Sequence, residues 1–186
     1  MLRVGGGSAK GRLLKAPREE RPTLGRMKQT LFDMLAPRLE GSRFLDVFAG
    51  SGAVGIEALS RGAEWAGFVE VSPRNCRLIR ENLALCGFSE KAEVICAKAE
   101  RGISRLAKRG EGFQIVFLDP PYEALEALGG ALTILAEKGP RLVPSCLVIV
   151  QRSRHRPIRE VPEALEVFDS RRIGESVLDF LRRRPV

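Results

Sequence analysis

The sequence predicts an α/β fold built on a mostly parallel sheet, and three observations support this prediction. Five short apolar strands alternate with segments of helical periodicity, as in successive β-α-β units, at residues 44–49, 65–71, 92–96, 113–118 and 142–150. The first strand ends in a glycine turn that restarts as a helix, and the fourth is apolar enough to be covered on both faces. A chain of 186 residues suffices for a single domain, here a basic extension at 1–22 and a core at 23–186.

The amino-terminal segment is predicted to be a glycine-hinged hairpin that lies outside the main core. Its short strands fall at residues 3–4 and 11–14, on either side of three consecutive glycines. Basic side chains along the hairpin would contact nucleic-acid phosphates, and the glycines would allow close approach of the backbone. These side chains are Arg3, Lys10, Arg12 and Lys15.

A helix is expected over residues 24–36, with Pro37 as its stop. Its apolar residues form one stripe, which would leave Arg26 and Lys28 on the surface. Because this segment immediately precedes the first core strand, Arg21 and Arg26 are candidates to contact a cofactor or a substrate.

The turn Gly50-Ser51-Gly52 is the most informative stretch for ligand binding. Free backbone N–H groups at the start of the following helix, together with the glycines, allow a ligand to approach the main chain. The glycines at 50, 52 and 55 fit G-x-G-x-x-G, a pattern that also occurs in dinucleotide sites. Asp46 lies inside the preceding strand, where a buried carboxylate is costly without a partner. This position indicates a ligand with a cationic or strongly donating group.

Glu70 ends the second core strand, 20 residues past Gly50. A carboxylate at this point of a β-α-β unit can accept hydrogen bonds from both ribose hydroxyls of a nucleoside cofactor. Helices over 73–85 and 100–108 then flank the third strand, whose end lacks an aspartate that could bond an adenine amino group. Backbone groups at Ala97 or Lys98 are the candidates for that contact.

Asp119-Pro120-Pro121-Tyr122, after the fourth core strand, is the sharpest chemical signal in the chain. The prolines fix the backbone and donate no N–H, so a carboxylate and a carbonyl can together grip both hydrogens of an exocyclic amine. Tyr122 offers a flat face on which an extracted base can stack. Positive charge that grows on such an amine as it attacks an electrophile would be stabilised by both acceptors. The chemistry needs no metal.

The carboxyl-terminal part is predicted to contain a helix over 123–137, the fifth strand and a basic loop at 152–159. Two closing strands at 165–172 and 176–182 would form a hairpin around Gly174. In the basic loop, Arg154 and Arg156 are candidates to contact RNA.

Charge and composition limit the function classes. Net charge is +8, with +6 in residues 1–28 and +3 in 151–186, so a nearly neutral body carries basic ends suited to a polyanion. The apolar runs are shorter than the roughly 20 residues that span a bilayer, and a signal-peptide core is missing, so we expect a cytoplasmic protein without membrane contact. The four cysteines form no C-x-x-C pair and are expected to be buried free thiols.

Two resemblances join these observations. The stretch from Asp46 to Gly52 resembles the cofactor loop of Rossmann-like, class I S-adenosylmethionine (SAM) methyltransferases, and residues 119–122 resemble the [DNS]-P-P-[YF] signature of amino-methyltransferases. The flanking stretches at 6–12, 21–32 and 172–178 resemble the RsmD family, whose members methylate N2 of one guanine in bacterial 16S, small-subunit ribosomal RNA.

The resemblance implies a seven-stranded sheet whose last hairpin supplies an antiparallel strand, SAM as cofactor, and ribosomal RNA as substrate. Naked RNA and RNA within a ribosomal particle both stay open, with the particle favoured, and a monomer is the default expectation. Catalysis is assigned to Asp119, Pro120, Pro121 and Tyr122. SAM would contact Asp46, Phe48, Ala49, Gly50, Ser51, Gly52, Glu70, Val71, Ala97, Lys98 and Asp119. RNA would contact Arg3, Lys10, Arg12, Arg21, Arg26, Arg154 and Arg156.

Three alternatives stay open at this point. The core motifs also suit a DNA or RNA methyltransferase acting on the amine of adenine or cytosine, although the chain shows no insert for DNA target recognition. An NAD(P)-dependent oxidoreductase would explain the glycine turn but not residues 119–122. A non-enzymatic RNA-binding protein that retains a cofactor fold would leave the intact Asp119 unexplained.

Overall fold

A seven-stranded, mostly parallel sheet with helices on both faces organises the molecule in the computed structural model. The structure describes residues 2–16, 24–108, 112–121, 124–137 and 142–185. The helices are α1 (Leu24–Leu39), α2 (Ala53–Ser60), α3 (Pro73–Cys86), α4 (Ala99–Ala107) and α5 (Leu125–Glu137). The strands are β1 (Leu2–Arg3), β2 (Leu13–Leu14), β3 (Arg43–Val47), β4 (Trp65–Glu70), β5 (Ala92–Cys96), β6 (Phe113–Leu118), β7 (Leu142–Ser153), β8 (Leu165–Ile173) and β9 (Ser176–Arg183).

The strand order in the large sheet is β5-β4-β3-β6-β7-β9-β8. From β3 the sheet extends on one side through β4 and β5 and on the other side through β6 and β7. These five strands are parallel to one another. The closing strands β8 and β9 form the predicted hairpin, with Gly174 at φ 60°, and β9 runs antiparallel to β7. The order reverses between β3 and β6, and open α/β sheets bind ligands at such a switch point.

Two hydrophobic clusters cover the two faces of the sheet. Phe44 of β3 packs into the first cluster with α1, α2 and α3, whereas Leu45 packs into the second with α4 and α5. Because side chains alternate along a strand, Asp46 points to the same face as Phe44. The predicted pattern of strands buried on both faces is therefore confirmed.

The amino-terminal hairpin belongs to the core, which corrects the prediction that it lies outside. Val4, Ala9 and Leu14 are buried and join the first cluster. A Cβ on Gly7, whose φ is 77°, would lie 1.7 Å from the Ser60 carbonyl oxygen of α2. The hairpin strands have two residues each, too short for a stable isolated ladder, so docking on α2 supplies their stability.

Helix α1 continues past Pro37 to Leu39, whereas the sequence predicted that Pro37 ends it. Proline fixes φ at a helical value and removes only its own N–H, and the buried side chain of Leu39 holds the last turn against the core. Lys28 was expected on the surface but is buried, because its ammonium lies 2.9 Å from the Glu57 carboxylate.

The four cysteines are free thiols as predicted, but only Cys76 and Cys146 are buried. Cys86 is partly exposed, and Cys96 is exposed. Within the described ranges, the helices are too short or too polar to cross a membrane.

Candidate active site

The loop between β3 and α2 carries three residues in the left-handed region: Phe48 at φ 62°, Gly50 at φ 56° and Gly52 at φ 77°. Glycine adopts this conformation without cost, whereas a phenylalanine stores strain of roughly 1–3 kcal/mol. The amides of Phe48 and Ala49 both donate to the Val69 carbonyl oxygen, at 2.9 and 3.2 Å. These bonds to β4 hold the loop in its strained shape.

Asp46 caps helix α2 from within the sheet. Gly52 is the N-cap residue and has no side chain to accept a helix N–H, so the Gly55 amide instead donates to Asp46 Oδ2 at 2.9 Å. Asp46 is 1% exposed, and its burial raises its pKa well above the ordinary value. The hydrogen bond from the Gly55 amide lowers the pKa but does not offset the effect of burial. The nearby carboxylates of Asp119 and Glu70 raise this pKa further. A cationic ligand would relieve this destabilised charge.

Glu70 joins the loop to the end of β4. Its Oε2 accepts from the Gly50 amide and its Oε1 from the Ser72 amide, both at 2.9 Å. Each carboxylate oxygen has a second lone pair, so Glu70 can support the loop and still accept hydrogen bonds from a ligand. The sequence predicted only the contact with a ligand.

Asp119 follows β6 and lies beside Asp46 because β6 pairs with β3 at the switch point. Its amide donates to the Val47 carbonyl oxygen at 3.3 Å, which continues the pairing one residue past the strand. Pro120 and Pro121 then leave the sheet and line the same cavity. Tyr122, the last residue of the motif, lies outside the described residues.

One cavity of about 540 Å³ opens at the carboxyl ends of β3, β4, β6 and β7. It contains the predicted cofactor residues of the first two strand ends except Gly52, together with the described part of the D-P-P-Y motif. Its lining is Asp46, Phe48, Ala49, Gly50, Ser51, Ala53, Val54, Glu70, Val71, Asn75, Phe117, Asp119, Pro120, Pro121, Gln151, Arg152, Glu175 and Ser176.

Several of these residues were missed by the sequence analysis, above all Gln151, Arg152, Glu175 and Ser176. They come from the end of β7 and from the β8–β9 hairpin, which pairs Ser153 with Ser176. The end of β7 was foreseeable, because carboxyl ends of parallel strands share one edge of the sheet. For the hairpin residues Glu175 and Ser176, the one available signal was the family resemblance of residues 172–178, which does not indicate a cavity.

Arg152 was assigned to a basic loop but lies in β7. It forms a half-buried ion pair with Asp179, and its Nη2 lies 3.2 Å from Asp179 Oδ1. Ser170 Oγ donates to the same carboxylate oxygen at 2.6 Å. Arg152 is thus fixed at the cavity wall by the hairpin.

Three predicted cofactor residues, Gly52, Ala97 and Lys98, are not part of the cavity lining. The Ala97 amide donates to the Glu70 carbonyl oxygen at 3.0 Å, so the end of β5 adjoins the end of β4. Lys98 is exposed at the start of α4. Contacts from these residues to a cofactor remain a prediction.

The predicted RNA-contacting residues lie at the surface where the structure describes them. All six described side chains are exposed, and Arg21 lies outside the described residues. Arg154 marks the rim of the cavity, because its Nε lies 2.9 Å from Glu175 Oε2 and Glu175 belongs to the lining. The exposed six are Arg3, Lys10, Arg12, Arg26, Arg154 and Arg156.

The described residues contain no group of three or more His, Cys, Asp or Glu that could hold a metal ion. The cavity instead combines four carboxylates, from Asp46, Glu70, Asp119 and Glu175, with the backbone of the 48–51 loop and the two prolines that follow β6. This arrangement can bind a cationic ligand and hold an amine against acceptor atoms.

Comparison with known proteins agrees with this geometry. A family model described as "Conserved hypothetical protein 95" matches residues 2–182. "Ribosomal RNA small subunit methyltransferase D" of Escherichia coli strain K12 is 36% identical over 163 residues, which are 87% of this chain and 79% of that protein. The protein of the same name from Haemophilus influenzae is 36% identical over 160 residues, covering 84% of this chain and 81% of that protein.

Among solved structures, a hypothetical protein of Thermus thermophilus, TTHA0928, superposes with a TM-score of 0.81 at 34% identity, over 98% of this chain and 99% of that one. The match thus extends from the amino-terminal hairpin to the closing strands. The chain belongs to the family described as conserved hypothetical protein 95, the RsmD family of ribosomal RNA methyltransferases.

Proposed function

We propose that this protein transfers a methyl group from SAM to the exocyclic N2 amine of a guanine in small-subunit ribosomal RNA. The observation that carries the proposal is the position of Asp119 and Pro120 in one cavity with Asp46 and residues 48–51 of the loop. This cavity can hold a methyl donor and an amine acceptor side by side.

The residues present fit SAM. Its sulfonium and ammonium groups are cationic, and the cavity offers the carboxylates of Asp46 and Glu70. The unused lone pairs of Glu70 suit ribose hydroxyls, and Val71, which is 62% exposed, offers an apolar surface at the end of β4. When bound, SAM would supply a methyl group activated by its sulfonium.

The protein itself contributes orientation and charge stabilisation. The Asp119 carboxylate and the Pro120 carbonyl oxygen accept hydrogen bonds from the target amine and direct its lone pair away from them. As positive charge develops on the nitrogen, these acceptors bind it more strongly than they bind the neutral amine. Tyr122 is assigned, from sequence, the role of stacking on the base.

Ribosomal RNA as the substrate is supported by the names of the similar proteins and by the exposed basic residues at both ends of the chain. Arg154 at the cavity rim is suited to a phosphate close to the target base. The small-subunit particle is the proposed form of the substrate, with the enzyme acting as a monomer.

The proposal is tested by incubating the protein with methyl-labelled SAM and small ribosomal subunits from cells that lack the activity. Digestion of the RNA and identification of the labelled nucleoside is expected to give N2-methylguanosine at one site. Labelled N6-methyladenosine would instead support an adenine methyltransferase. Absence of label from subunits, naked RNA and DNA would overturn the enzymatic proposal.

A further inference from the structure

Asn82, in the middle of helix α3, bonds to two segments that are far from it in the chain. It is fully buried, with 0% exposure. Its Oδ1 accepts from the Lys15 amide at 2.8 Å, and its Nδ2 donates to the Lys15 carbonyl oxygen at 2.8 Å and to the Ser51 carbonyl oxygen at 3.0 Å. One amide side chain therefore connects the end of the amino-terminal hairpin with the cofactor loop.

All three bonds go to main-chain atoms. A buried amide is costly unless its donors and acceptors are paired, and here both Nδ2 hydrogens and Oδ1 have partners. The side chain of Lys15 takes no part, since its ammonium points outward to an exposed ion pair with Glu81 at 2.7 Å. The bridge thus depends on where the backbone of residue 15 lies.

The backbone at residue 15 is fixed by a second anchor of the same hairpin. The Gly5 amide donates to Glu57 Oε2 at 2.8 Å, and the Ser8 amide donates to the Ser60 carbonyl oxygen at 2.7 Å. These contacts dock the hairpin on α2, the helix that begins at the cofactor loop. The hairpin is therefore connected to the cofactor loop through α2 and, independently, through the hydrogen bonds of Asn82.

Ser51 lies between Gly50 and Gly52, both in the left-handed region. A loop with such backbone angles keeps one shape only where surrounding contacts fix it. We propose that Asn82 is a positioning residue that makes the shape of the cofactor loop depend on docking of the amino-terminal hairpin. The effect on cofactor affinity rests on the proposed function, namely that this loop holds SAM.

The test uses two substitutions at one position. Lys15→Pro removes the N–H that Asn82 accepts, whereas Lys15→Ala keeps it, and both lose the ion pair with Glu81. By isothermal titration without RNA, we expect Lys15→Pro to weaken SAM binding about fivefold to tenfold relative to Lys15→Ala, the effect of roughly one hydrogen bond. Lys15→Ala should bind SAM within about twofold of the wild type.

A second arm needs no ligand. Asn82→Asp keeps the acceptor for the Lys15 amide but removes the donor to the Ser51 and Lys15 carbonyl oxygens. Glu81→Gln on the same helix is its control. Hydrogen exchange of amides 48–55 should be faster in Asn82→Asp and Lys15→Pro than in their controls, at temperatures where each variant is folded.

The outcomes separate the two proposals. If the wild type binds SAM and Lys15→Pro matches Lys15→Ala in both affinity and exchange, the positioning role is wrong. If the wild type does not bind SAM, the proposed function fails, and loop exchange alone then decides whether Asn82 positions the loop. Should Asn82→Asp not fold, the comparison of the two Lys15 variants still decides.

Discussion

Two buried carboxylates on either side of the cofactor loop have opposite environments. Asp46, at the end of β3, faces the cavity, and its burial and the neighbouring carboxylates raise its pKa. Glu57, in α2, accepts hydrogen bonds from the Gly5 amide, Lys28 and Arg61 at 2.8–2.9 Å. Burial alone would raise the pKa of Glu57, but these three donors outweigh it and lower the pKa.

Glu57 therefore carries a structural charge, whereas the charge of Asp46 is suited to binding a ligand. Both residues are at most 1% exposed, so burial does not distinguish them. Glu57 has its cations within the protein, whereas the charges nearest to Asp46 are the negative Asp119 and Glu70. A buried carboxylate with other carboxylates beside it is typical of a site that binds a cationic ligand.

The largest effect is expected from Glu57→Leu, which removes the carboxylate that pairs with Lys28 and Arg61. It leaves the Lys28 ammonium buried without its carboxylate, so the free energy of unfolding should fall by about 3–5 kcal/mol in urea titrations. Combining it with Lys28→Met should restore most of the loss. SAM affinity, measured where the variant is folded, should fall by no more than about the fivefold to tenfold expected of Lys15→Pro, because Glu57 also docks the amino-terminal hairpin through the Gly5 amide. A stable variant that loses SAM binding altogether would reverse the assigned roles.

Asp119→Ala should affect chemistry rather than folding or cofactor binding. Loss of one acceptor for the target amine is expected to lower kcat by about 10²- to 10³-fold in the methylation assay. SAM affinity should be kept, because removal of this carboxylate relieves the charge on Asp46. Asp33→Ala, an exposed carboxylate of α1 bonded to Gln29, is the control. Joint loss of transfer and SAM binding would contradict this division of roles.

Asp46→Asn tests whether the charge of Asp46 serves to bind a cationic ligand. The amide can still accept the Gly55 N–H but carries no charge, so SAM affinity should fall about 10- to 100-fold by isothermal titration. The free energy of unfolding should not fall, since an unfavourable buried charge is removed. A large loss of stability with unchanged SAM affinity would make Asp46 a structural residue like Glu57.

The smallest effect, and the most specific, is the pH dependence of stability. Because the pKa of folded Asp46 lies above 3.8, its contribution destabilises the fold progressively as pH rises from 3.8 through that raised pKa. The pKa of folded Glu57 lies below 4.5, so its contribution is full above 4.5 and is lost as pH falls through the lowered pKa. Urea titrations of Asp46→Asn and Glu57→Gln against the wild type should give differences of opposite slope, each at most about 1.4 kcal/mol per pH unit. Slopes of equal sign would contradict the assigned pKa directions.

Sequence reasoning was strongest where function depends on local chain geometry. The glycine turn, Asp46 in its strand and Glu70 at the end of the next strand were predicted correctly as neighbours, because parallel strands bring their carboxyl ends together. It failed where long-range contacts decide. Lys28 looked like a surface residue of an amphipathic helix, and only its pairing with Glu57 accounts for its burial.

The sequence by itself determined the order of strands and helices, the loop conformation that the glycines permit, and the chemistry of residues 119–122. These features follow from local preferences and short spacings. Only the tertiary structure decided that the amino-terminal hairpin enters the core, that Gln151 and Glu175 line the cavity, and that Asn82 connects Lys15 with Ser51. Such contacts depend on which surfaces pack together when segments distant in sequence fold, and a local sequence pattern does not specify them.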